Sequence, residues 1–164
     1  MESEAARAAT GPRWHMVGHL QRNKAKEVAN RLTALHSLDS LDLARKLEAL
    51  RSAEAEPLAV YVELLLDEEA ETRSGVSEDD LPGFLADLRG LQRLRVEGLM
   101  GLPPHPEGAP PEVARPHFQR LARLAHEHGL TGLSMGMTSD LEVAVEEGAT
   151  VIRVGRALLE GVTP

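Results

Sequence analysis

The chain has 164 residues, 42% apolar and 27% charged, enough for one globular domain with a sizeable core. A formal net charge of -8 argues against the basic stripe a nucleic-acid surface needs, and no apolar run approaches the roughly 18 residues of a membrane span. Cys is absent, which excludes disulfides, thiolate metal sites and Cys nucleophiles, and the first dozen residues lack the basic start and apolar core of a signal peptide, so the plain expectation is a cytoplasmic protein.

Residues 1–13 read as a short tail and 14–164 as a single domain. Short β-prone runs alternate with longer amphipathic ones. Strands are expected near Trp14–Val17, Ala34–Leu38, Leu58–Leu66, Leu94–Met100, Leu130–Met135 and Thr150–Val154. Between them, NKAKEVANRLTAL and SLDLARKLEALRSAE space Leu, Ala and Val by three and four, as an amphipathic helix requires. SEDDLPGFLADLRGL has an acidic first turn, and PHFQRLARLAHEHG ends on Gly129, a C-cap residue. SDLEVAVEEG opens on the Ser139-to-Glu142 spacing of a capping box. Six β/α units follow one another, which predicts a parallel sheet covered by helices. The Pro-rich run GLPPHPEGAPPEVARPHF, residues 101–118, is expected to be a long loop after the fourth strand.

Two stretches carry chemistry. In LSMGMTSDLEVAVEEG a strand ends near Ser134, a Gly-containing turn follows, and a helix begins near Ser139. Backbone N–H groups there form a cradle for phosphate or carboxylate. In VIRVGRALLEG, Arg153 lies on a strand between apolar neighbours and needs an acceptor: an anion, a ring nitrogen or a core carboxylate. Gly155 on the same face lets a ligand approach the backbone. In WHMVGHLQRNK, His15 and His19 have helical metal-ligand spacing. Met16, Val17 and Gly18 between them do not favour helix, however, and the HExxH glutamate is absent, so no metal site is expected. No Ser-His-Asp order, nucleophile elbow or P-loop occurs, and no catalytic residue is assigned.

WHMVGHLQRNK, VEGLMGLP, LSMGMTSDLEVAVEEGAT and VIRVGRALLEG, in this order, resemble the YggS/PROSC family of pyridoxal phosphate homeostasis proteins. LDEEAETRSGV, residues 66–76, resembles that family's segment with Lys or Arg before Ser-Gly. The resemblance runs from Trp14 nearly to the end of the chain. It implies a (β/α)8 TIM-like barrel of the alanine racemase N-terminal type, present here in part, with pyridoxal 5′-phosphate as cofactor. By motif position it implies that Ser134, Gly136 and Met137 lie in the turn receiving the cofactor phosphate. Gly155 and Arg156 complete that cradle, and Arg153 faces the pyridine nitrogen. A cationic Arg there discourages ring protonation and weakens the cofactor as an electron sink.

Two departures stand out. Arg156 occupies the position where the family has a small hydroxyl residue. The family's Schiff-base Lys, in a V-S-K-like strand motif, has no counterpart, since Lys24, Lys26 and Lys46 are the only lysines. Counted against the family, the chain begins at about the third strand, whereas a closed eight-strand barrel takes about 200 residues or more. The expectation is an N-terminally truncated barrel whose open strand edges favour self-association or a second chain supplying the missing units. The function implied is a cofactor carrier and buffer in intracellular pyridoxal phosphate homeostasis. The alternatives are a racemase-like enzyme using the same cofactor and a structural remnant that binds nothing.

Overall fold

A computed structural model describes residues 12–66, 74–104, 108–155 and 158. Most of the expected tail, most of LDEEAETRSGV and the whole of Arg156 lie outside the described residues. One sheet of five parallel strands runs in chain order: β1 (His15–Met16), β2 (Ala34–Leu38), β3 (Leu58–Leu64), β4 (Leu94–Gly101) and β5 (Gly132–Ser134). Helices α1 (Ala25–Val28), α2 (Leu41–Leu50), α3 (Leu81–Leu88), α4 (Arg115–Glu127) and α5 (Leu141–Glu146) alternate with the strands. Crossovers between parallel strands are right-handed, and here the strand order never reverses, so every helix lands on the same face of the sheet.

The strands serve two faces by their period of two. Leu35, Val60, Val62, Leu99 and Leu133 join Leu43, Leu47, Leu81, Leu85, Phe118 and Leu121 of the helices in one apolar core. The alternate positions, His36, Tyr61, Glu63, Met100 and Ser134, are buried on the opposite face. That face is concave. Strands in a flat sheet lie about 4.8 Å apart, so β2 and β5, three places apart, would be separated by about 14 Å. Yet His36 Nδ1 of β2 lies 2.8 Å from Ser134 Oγ of β5. The sheet is therefore curled as a barrel wall, with the helices outside and a polar interior.

Local sequence explains most of the helix limits. Ser40 caps α2, its hydroxyl accepting from Leu43 N at 3.3 Å, while Leu43, Ala44 and Leu47 bury one stripe. Arg51 just beyond α2 donates to the carbonyls of Ala29 (2.7 Å), Leu32 (3.0 Å) and Glu56 (2.6 and 3.0 Å), clasping α1 and two loops together. Gly129 leaves α4 with φ +69, which only Gly adopts freely.

Four expectations change. The first helix is a 3-10 turn, Arg22–Lys24, running into the single turn of α1; beyond it the Asn30 side chain donates to Leu50 O and accepts from Ser52 N, tying the end of this segment to the end of α2. The Pro-rich loop ends early, since Pro111–Ala114 form a 3-10 turn and Pro116 sits in the first turn of α4, where its missing N–H costs nothing. The Ser139 capping box does not form. Asp140 is the N-cap of α5 and turns its carboxylate back to Met137 N at 2.6 Å. The sixth strand contributes one parallel bridge, Ser134 to Val151, because Arg153 is drawn inward and its N–H bonds Gly136 O.

Candidate functional site

A cavity of about 720 Å³ opens beside the interior, with His15, Gly18 and His36 on one wall and Met137, Ser139, Arg153 and Gly155 on the other. Its size suits a small-molecule ligand, for which pockets run from about 300 to 1,000 Å³. Arg153 is its centre of positive charge. Nη1 donates to Ser134 O (2.8 Å) and Ser134 Oγ (3.0 Å), and Nη2 donates to Gly101 O (3.1 Å). Its Nε is buried and has no hydrogen-bond partner. Burial lowers the Arg153 pKa, opposed by the negative charges of Asp140 and Glu63. A guanidinium remains a cation under such conditions, so the Nε–H is an unsatisfied buried donor.

The turn after β5 forms the second part. Gly136 has φ +88, and a Cβ there would press into Ala144, so the tight bend requires Gly. Met137 N is committed to Asp140. The N–H groups of Thr138, Ser139 and Gly155 have no partner among the described residues. A Cβ built at Gly155 meets nothing within 4 Å, so the backbone faces open cavity.

Of the residues singled out from sequence, Met137, Arg153 and Gly155 line the cavity together. Gly136 shapes the turn from behind. Ser134 is fully buried in β5, its hydroxyl engaged by His36 and Arg153. His15 and His19 have separate partners: His15 Nδ1 meets His36 Nε2 at 3.0 Å, and His19 Nδ1 meets Asp39 at 3.3 Å.

Three interior residues went unread in the sequence. His36 stacks on Tyr61, with centroids 4.4 Å apart and planes 8° apart. Burial chiefly, then the charges of His15 and Arg153, push its pKa down to about 4. Glu63 is pushed up to about 7 by burial chiefly and by Asp39, against weaker opposition from Ser74, His19 and Arg153. The available signal was the alternation of Tyr61 and Glu63 with Val60 and Val62 in AVYVEL, whereas ALHSL, buried along its whole length, offers none for His36.

A curled, singly wound parallel sheet with its polar site on the concave side defines a barrel-type (β/α) protein. The chain belongs to the family described as alanine racemase, N-terminal domain, whose profile matches residues 2–163. The pyridoxal phosphate homeostasis protein of Aquifex aeolicus is 37% identical over 151 residues, covering 88% of this chain and 65% of that protein. Its namesake in Pseudomonas aeruginosa is 40% identical over 148 residues, covering 88% and 63%. The chain thus spans less than two thirds of either relative's length. Among solved structures, PipY of Synechococcus elongatus with PLP bound superposes with a TM-score of 0.78 at 31% identity, covering 94% of this chain and 74% of that one.

Proposed function

We propose that this chain binds pyridoxal 5′-phosphate and serves intracellular homeostasis of that cofactor as a carrier and buffer, in the cytoplasm. The observation that carries the reading is that Arg153, with its orphan Nε–H, and Gly155, with its open backbone, line one cavity of cofactor size. The donor set fits the group. Arg153 supplies an N–H for the ring nitrogen, and the N–H groups of Thr138, Ser139 and Gly155 supply donors for the phosphate. Gly136 and Met137 hold the turn in shape, and Ser134 steadies Arg153. The names of the relatives and the cofactor in PipY support the same reading.

When bound, the cofactor brings an aldehyde and an electron-withdrawing ring. An N–H of Arg153 donated to the ring nitrogen would leave it unprotonated, which suits a carrier, or racemase-like chemistry, better than aminotransferase-like chemistry. None of the three lysines, Lys24, Lys26 and Lys46, lines the cavity, so the described residues hold the cofactor without a covalent bond.

Titration of the full chain with pyridoxal 5′-phosphate, followed by calorimetry and absorbance, tests this. Saturable binding near one equivalent, with the spectrum of the free aldehyde and no borohydride-trapped adduct, is expected. Arg153→Gln weakens it about tenfold, as loss of one charge-assisted hydrogen bond does. Absence of saturable binding by the wild type sinks the proposal.

A further inference from the structure

We infer that His36 is a positioning residue for Arg153, acting through the Ser134 hydroxyl, and that His15 fixes the direction of this hydrogen-bond chain. Proton counting along these bonds sets the direction of each. A guanidinium can only donate, so at 3.0 Å Ser134 Oγ accepts from Arg153 Nη1. The hydroxyl has a single proton, and its other partner among the described residues is His36 Nδ1 at 2.8 Å. Ser134 is fully buried, so that proton goes to His36 or to nothing. With Nδ1 accepting, neutral His36 carries its proton on Nε2 and donates it to His15 Nδ1 at 3.0 Å. His15 then carries its own proton on Nε2, at the cavity wall.

The resulting chain, Arg153 to Ser134 to His36 to His15, points one way throughout, and each bond polarises the next. Burial favours the neutral His36 that this order requires. The opposite order makes Ser134 accept twice and strands a hydroxyl proton in a dry interior, a cost of about 1–3 kcal/mol by the general penalty for an unmade buried bond. Tyr61 holds the imidazole flat, so the ring cannot tilt out of line. The chain therefore fixes Nη1, the Gly101 carbonyl fixes Nη2, and the orientation of the free Nε–H follows. Recognition of the ring nitrogen thus depends on a residue in β2 that is hydrogen-bonded to Arg153 only through the Ser134 hydroxyl.

The inference rests on the proposed cofactor only for its ligand readout. In the ligand-free full chain, long-range 1H–15N spectra should show both His36 and His15 as Nε2–H tautomers. An Nδ1–H tautomer at His36 overturns the inference whatever the protein binds. For the ligand arm, affinity is compared between pyridoxal 5′-phosphate and its analogue with the ring nitrogen replaced by C–H. The wild type should prefer the former by about tenfold, the worth of one such hydrogen bond. His36→Phe keeps the stack on Tyr61 but removes the acceptor, and the preference should fall below about twofold, with His36→Asn restoring part of it. Should the Phe variant not fold, Ser134→Ala interrupts the same chain and must give the same collapse. A preference that survives both interruptions refutes the positioning role, whereas failure of the wild type to bind either ligand refutes the cofactor proposal and leaves the tautomers to decide the chain.

Discussion

His36 and Glu63, on neighbouring strands β2 and β3, are buried on the same concave face with their protonation equilibria displaced in opposite senses. Both are more than nine-tenths buried, and both favour the neutral form.

Their effects on stability oppose each other. His36 takes a proton near 6.5 when unfolded but only near about 4 when folded, so stability rises with pH across that window and is lost as pH falls. His15, lowered by burial and then by Arg13, adds in the same sense. Glu63 releases its proton near 4.5 when unfolded but near about 7 when folded, so stability falls as pH rises between those values. Each contributes up to about 3 kcal/mol. Glu63 should therefore offset much of the rise due to the two histidines from about pH 4.5 to 6.5 in the wild type, and Glu63→Gln should gain stability more steeply with rising pH there. Urea unfolding at several pH values checks this, and a flat Glu63→Gln curve contradicts the assignment.

Arg51 offers a stability test away from the cavity. Its four hydrogen bonds satisfy the carbonyls of Ala29, Leu32 and Glu56. Arg51→Met strands these acceptors and should cost about 2–4 kcal/mol. Arg51→Lys should recover little, because an ammonium cannot span the fork. Chemical denaturation midpoints measure both.

Two glycines should respond in contrary ways. A Cβ at Gly98 would overlap the Gly132 carbonyl on the neighbouring strand, so Gly98→Ala forces β4 and β5 apart and should cost about 2 kcal/mol or more. A Cβ at Gly155 meets only open cavity. Gly155→Ala should leave the melting temperature within about 2 °C, a surface-like effect, yet weaken pyridoxal 5′-phosphate binding. Paired thermal melts and titrations separate the two.

Asp140 should act on binding through its charge. Its carboxylate accepts from Met137 N at 2.6 Å and stands behind the turn proposed for phosphate. Asp140→Asn keeps the acceptor and removes the negative charge, so inorganic phosphate should bind about two- to fivefold more tightly. Asp140→Ala loses the turn as well, and calorimetry should show no such gain.

The outer half of the structure was legible in the sequence. Leu43, Leu47, Phe118 and Leu121 recur at helical spacing because they cover a sheet, and Gly129 stops α4 for a local reason. The concave half was not. β2 is buried along its whole length, so His36 sits in a run that does not advertise its inward face. Its partner Ser134 lies 98 positions away, beyond any periodicity. Arg153 was legible as a cation needing an acceptor, but the sequence could not show that two of its nitrogens are already spent on Ser134 and Gly101. The capping-box spacing at Ser139 misled because the helix starts one residue later, with Asp140 at the N-cap position and its carboxylate turned back to Met137 N instead of into the helix.

The strand order, identical to the order of synthesis, has a consequence for assembly. Each of these strands finds its preceding neighbour already in place, so this part of the wall can grow strand by strand as the polypeptide emerges, with mostly short-range closures. The bond from His36 to Ser134 is the exception, since it waits for a strand made 98 positions later. Binding competence should therefore be acquired last, in one closing step, after most of the apolar core has formed.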